Sequence, residues 1–354
     1  MSQRDELSAI ERELDTAVGA AARVALLDRA VELADSCGSP EDGWRLRLQL
    51  MSAIYYTGDW DKLLLHFGWC ITQHDRDPER FSDYELLWKY KWVVNEAACF
   101  PQIGAARLRG LLDDMERRFL LAGSSMRAVH QYRALVSAKL GDMESARAWL
   151  VHWDASARDW LSDCAACDPD GRADLLGMLG DADGLIEGAE RLIASRSRCG
   201  EIPHRTHGRV LAPLWRLGEQ ERAVAHHHTG YRMVRANPKL VEAHGQHIAL
   251  AAAAGRDADA IAMLERHLED ALRLPAAWER MTFLTSVAYA LRMLEAHGVR
   301  ELGIRVPGRH EGALTPTDRL AAWAQAEADA LISAFDARNG NTVIGDWCRQ
   351  LTPG

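Results

Sequence analysis

The sequence predicts an all-α fold, one continuous right-handed α-solenoid of about eight helical hairpins with a C-terminal capping helix. Three observations predict it. Turn signatures recur at a single spacing. The stretches between them carry helical apolar periodicity. The β-branched alternation that marks strands is absent. The turns are Gly19, Gly58-Asp59, Phe100-Pro101, Gly141-Asp142, Gly180-Asp181, Gly218-Glu219, Gly255-Arg256 and His297-Gly298, about 37 to 43 residues apart. A period of that size holds two helices and a turn, the unit of an α-solenoid.

Composition narrows the class further. The chain has 354 residues, 48 % hydrophobic and 26 % charged, with a net charge of −9. That is ample apolar content for a core, so wholesale disorder is excluded. The acidic balance argues against a general nucleic-acid binder. No apolar run approaches the ~18 residues of a membrane span, and the charged start MSQRDELSAIEREL is no signal peptide. The seven cysteines are an odd number, which without a signal peptide points to a reducing cytoplasm rather than a disulfide framework. The Ala- and Arg-rich composition suits a bacterial source.

The unit around Gly255 shows why each hairpin forms. LVEAHGQHIALAAAAG precedes the turn and RDADAIAMLERHLEDALRLP follows it. In the second run Ala260, Ile261, Leu264, Leu268, Ala271 and Leu272 follow the i, i+3, i+4, i+7 pattern of an amphipathic helix. Glycine ends the first helix because it enters the left-handed conformation cheaply. Pro275 ends the second because it cannot continue a helix; Pro78 and Pro238 stand at equivalent places.

Gly218 is followed by Ala223 and Pro238, Gly255 by Ala260 and Pro275, and Gly141-Asp142 by Ala146. In these residues the chain resembles the tetratricopeptide repeat, with a longer second helix, over about residues 10 to 298. The resemblance implies first helices lining a concave groove and a protein or peptide partner. It also resembles uncharacterised bacterial tetratricopeptide-type proteins that pair CxxC with Cys…Pro-His and end in Phe-Asp-x-Arg-Asn-Gly, here Phe335 to Gly340.

Residues 1–298 are therefore expected to be the repeat array. Residues 299–314, with Gly303, Pro307, Gly308 and Gly312, read as a linker, and 315–354 as the capping helix and tail. A polar-faced terminal helix is what an α-solenoid needs to cover its open end.

Aromatic residues crowd positions 44 to 100, including Tyr84, Trp88 and Trp92. They predict either an aromatic groove for a peptide or plain packing of the first repeats. Lys91 and Asn95 lie one helical turn apart, as in the carboxylate clamps of the tetratricopeptide family, and Arg47 and Arg133 sit on flanking first helices. The peptide-groove candidates are Tyr84, Trp88, Lys91, Asn95 and Arg133.

The sharpest constellation is Cys164, Cys167, Cys199 and His204. One helical hairpin, about 168–179 and 183–197, separates the two pairs. Each helix climbs ~20 Å and the second returns it, so both pairs meet at the hairpin's open end. Zinc takes four such ligands tetrahedrally, and a closed set is structural. The alternatives are inert buried thiols or a redox pair, the latter without the βαβ context it needs.

His204, His207, His226, His227 and His228, with His244 and His247, are the candidates for a metal-dependent enzyme. No HExxH motif accompanies them, and the three consecutive histidines fan around a helix. Arg191, Arg196, Arg198, Arg205 and Arg209 against Glu201 make a basic run that reads as a phosphate contact or a solvated face.

Overall fold

The computed structural model describes residues 3–81, 83–306 and 314–354. It is all-helical apart from one two-residue antiparallel ladder. The helices are α1 (Gln3–Thr16), α2 (Ala20–Ser36), α3 (Pro40–Thr57), α4 (Trp60–Arg76), α5 (Asp83–Ala97), α6 (Ala105–Leu121), α7 (Arg127–Lys139), α8 (Met143–Ala155), α9 (Cys167–Met178), α10 (Ala182–Ala194), α11 (His204–Arg209), α12 (Leu211–Arg216), α13 (Gln220–Val234), α14 (Val241–Ala253), α15 (Asp257–Arg273), α16 (Ala277–Ala296), α17 (Thr317–Asn339) and α18 (Val343–Cys348). No helix among the described residues is long and apolar enough to cross a membrane.

The predicted glycine turns take the backbone expected of them. Gly19, Gly58, Gly141, Gly180, Gly218, Gly255 and Gly298 all have φ between 69° and 97°. Gly141 needs its missing side chain as well, because a Cβ there would run into the Asn341 amide. Asp142 and Asp181 cap α8 and α10 by accepting from Ser145 N and Gly184 N at 3.0 and 2.8 Å.

Consecutive first helices pack side by side. α3 meets α5, α5 meets α7, and α7 meets α9; later α11 meets α14 and α14 meets α16. Arg205 and Arg209 on α11 bridge to α9 through Asp170, at 3.1 and 2.6 Å. The second helices pack against their own partners, α7 with α8, α9 with α10 and α14 with α15.

The C-terminal segment differs from a simple end cap. α17 lies along α16, and its last residues return to the middle of the chain. Arg338 donates to Ala98 O at 2.7 Å and to Lys139 O at 2.9 Å, and Asn341 donates to Leu140 O at 3.0 Å. Those carbonyls end α5 and α7, where no helical donor remains. The guanidinium charge also suits the negative end of both helix dipoles. Trp278 N donates to Cys99 O at 3.2 Å, and Trp278 packs on Phe335 and Trp347. The N-terminal core therefore extends to the last helices.

The segment expected to be a linker lies partly outside the described residues, which omit Pro307, Gly308 and Gly312. Its two ends pair as β1 (Glu301–Leu302) and β2 (Thr315–Pro316).

Candidate functional site: a chamber with three cysteines in its wall

The segment that leads from α8 into the first residue of α9 carries Asp163, Cys164 and Cys167. Four contacts fix it. Lys91 on α5 is fully buried and donates to Asp163 Oδ1 and to Leu161 O, both at 2.8 Å. Gln131 Nε2 and the Tyr132 hydroxyl on α7 donate to the other Asp163 oxygen at 2.9 and 3.1 Å. Cys167 opens α9, and its backbone N–H donates to Cys164 Sγ at 3.3 Å. Burial would raise the Cys164 thiol, but the backbone N–H groups of Cys167 and Ala166 outweigh it and bring the thiol below its usual range. Burial pushes Cys167 up, reinforced by the neighbouring thiols.

Cys199 comes from the far end of the α9–α10 hairpin. Its N–H donates to Ile202 O and its carbonyl accepts from Ile202 N, at 3.1 and 2.6 Å. Ile202 is buried with Ala166 and Leu192 between the two cysteine loops. The antiparallel hairpin thus brings the loops together as its lengths require. The three Sγ atoms lie within 4.8 Å of one another. Sulfurs bound to one zinc ion sit about 3.8 Å apart, given Zn–S of about 2.3 Å, so the spacing fits. Thiolate donors also suit zinc among the abundant metals.

His204 is not in that group. It is the first residue of α11, half-buried, and the set of ligand atoms brought together is the three thiols.

The cysteines stand in the wall of a cavity of about 360 Å³. Every first helix from α3 onward lines it: Tyr55 of α3, Trp92 of α5, Gln131 of α7, Asp174 of α9, Arg205 of α11, Glu242 of α14 and Trp278 of α16 are examples. Its carboxylates, Glu96, Asp163, Asp174, Glu201, Glu242 and Glu279, face the cations Lys139, Arg205, Arg209 and Lys239. Burial raises the carboxyls of Glu96, Glu242 and Glu279, the last to about 7.

Of the peptide-groove candidates, Trp88 and Asn95 line this chamber. The clamp itself does not assemble. Lys91 is committed to Asp163 and lies 3.3 Å from the Trp88 ring centre. Asn95 donates to Glu96 and accepts from Lys139. Arg133 is paired with Asp113 and Glu116 on α6, and Arg47 is buried against Asp35 and the Trp69 face. Tyr84 is exposed and packs on Trp160 of the cysteine-bearing loop, 5.4 Å between ring centres.

The histidines are not a metal site among the described residues. His207, His227, His244, His247 and His267 are buried. His207 meets His226 at 3.0 Å, His227 meets His247 at 3.1 Å, and His244 faces Val234 O at 3.0 Å and stacks on His267. Burial holds His207 and His227 near 4 and His267 near 3. They are neutral core residues. Of the basic run, Arg205 and Arg209 pair with Asp170 and Asp174, while Arg191, paired with Glu187, and Arg196 and Arg198 are exposed.

The chamber carboxylates and the Lys91–Asp163 pair were missed in the sequence. Lys91 after Tyr90 and Glu279 after Trp278 each stand beside an aromatic on a first helix, but Glu96, Asp174 and Glu242 carry no such signal. No protein-family model matches the chain, and a search of curated proteins finds no match either.

Proposed function

We propose that this chain is a tetratricopeptide-like α-solenoid that binds a short peptide or a small molecule on its concave face, with zinc held beside the site by Cys164, Cys167 and Cys199. The observation that carries the reading is the chamber itself, lined from seven consecutive first helices with the thiol group in its wall. Its volume, about 360 Å³, lies in the range of small-molecule sites. A peptide end or a small ligand is of a size to occupy it.

Zinc on three thiolates would fasten the α8–α9 loop to the turn after α10 and so fix one wall of the chamber. His204 completes a closed tetrahedral set if its ring turns inward. Otherwise the fourth position belongs to the chamber side, where Cys164, Cys167 and Cys199 all contribute to the lining. That second arrangement favours a metal-dependent enzyme at the cysteines rather than at the histidines, since catalytic zinc keeps an open position.

The test is a thermal-shift screen of untagged protein against pooled tripeptides and pooled twenty-residue helical peptides. Stabilisation by tripeptides, lost in Gly171→Trp, which fills the chamber from α9, supports the reading. Stabilisation by the long helices alone contradicts it.

A further inference from the structure

In the chamber, Glu96 on α5 and Glu279 on α16 converge. One carboxylate oxygen of each and Cys99 Sγ lie within 4.8 Å of one another. Glu96 is 7 % exposed. One of its oxygens accepts from Asn95 at 3.0 Å; the other, Oε2, has no partner, and neither has Glu279 Oε2. Buried carboxylate oxygens are normally paired, so this pair lacks a donor. Lys139 does not reach these oxygens: its ammonium donates to Cys99 Sγ at 3.1 Å and Asn95 Oδ1 at 3.2 Å.

Resting on the chamber reading above, the geometry points to a ligand-binding subsite for a primary ammonium group, held between Glu96 and Glu279 with the ligand's apolar body along Trp92 and Trp278. The spacing fits. One nitrogen about 2.8–2.9 Å from each oxygen spans a gap of this size at a near-tetrahedral angle. An ammonium group brings three donors and no acceptor, which suits two acceptors with nothing to accept. Trp92 and Trp278 line the same cavity and offer an apolar wall to the ligand's body. Burial and the facing carboxylates push Glu279 up to about 7 against the pull of Lys139.

The experiment is calorimetric titration of the full zinc-loaded chain with 2-phenylethylamine and with 3-phenylpropionate, the same shape bearing a carboxylate. The expected result is binding of the amine at least tenfold tighter than the carboxylate. Glu96→Gln and Glu279→Gln should each weaken the amine about tenfold, with unchanged zinc content and thermal midpoint within a few degrees. Equal binding of the two probes overturns the inference and leaves the chamber reading standing. Failure of the amine to bind while tripeptide pools still stabilise the protein does the same. Undiminished amine binding in the double variant also overturns it. If neither probe nor any peptide pool binds, both readings fall together.

Discussion

Lys91 shows how one residue changes meaning between sequence and structure. On its helix it stands a turn from Asn95, the spacing of a peptide clamp. In the fold it is fully buried against Asp163, and what it holds is the cysteine loop. Removing one partner of a buried ion pair typically costs about 3–5 kcal/mol. Lys91→Met is therefore expected to lower the unfolding free energy by about 3 kcal/mol in urea titration and to weaken zinc retention against a chelator. The histidines make a second residue-scale prediction. His207, His227 and His267 are held neutral in the fold at about 4, 4 and 3, while unfolded histidine titrates near 6.5. The unfolded chain therefore binds more protons below that value. The stability these groups contribute is intact above pH 6.5 and declines as pH falls toward 4, by about 1.4 kcal/mol per pH unit for each group. Arg198, Arg256 and Arg266, which face them, oppose their protonation. Urea midpoints measured from pH 8 to pH 4.5 check the sign: a flat profile through pH 5 contradicts the buried neutral cluster.

At the scale of elements, the α9–α10 hairpin was legible because its information is local. Gly180-Asp181 fixes the turn, Asp181 caps the second helix, and near-equal helix lengths return the chain to its start. The meeting of Cys164 and Cys167 with Cys199 followed from that arithmetic. His204 did not follow, because its position depends on the turn Cys199–Ile202 and on the start of α11, where the spacing says nothing about direction. The basic run divides: Arg191, Arg196 and Arg198 are exposed, as a solvated face, whereas Arg205 and Arg209 turn inward to counter-charges, Asp170 and Asp174, that sit on α9, more than thirty residues earlier. Asp170 is fully buried and receives Thr206 at 2.6 Å as well as both arginines. Asp170→Ala is expected to cost about 3–5 kcal/mol and to loosen α11 from α9, seen as faster amide exchange in residues 204–216. Unchanged exchange there would show that apolar packing alone holds the two elements.

On the scale of the molecule, the helical class and the period were legible, and closure was not. Periodicity reports what each hairpin buries; it carries no record of which distant carbonyls Arg338 will reach. The Phe335–Gly340 stretch was visible as a motif, yet its work, ending α5 and α7 at Ala98 and Lys139, needs the tertiary path. Arg338→Met leaves Ala98 O unpaired, while Lys139 O keeps the Asn339 amide at 3.0 Å, and should cost about 1–3 kcal/mol, lowering the thermal midpoint by several degrees in calorimetry. The same path brings α16 to the chamber, where Trp278 and Glu279 form part of the wall of a space of about 360 Å³.

The central claim is that three thiols from two loops hold zinc in the wall of that chamber. Elemental analysis of untagged protein tests it, beside a Cys164→Ser/Cys199→Ser variant and His204→Ala. The account predicts one zinc per chain in the wild type and none in the cysteine variant. Loss in His204→Ala as well makes the site a closed staple; retention leaves its fourth position to the chamber. Zinc that survives loss of both cysteines, or a wild type without metal, would contradict the claim.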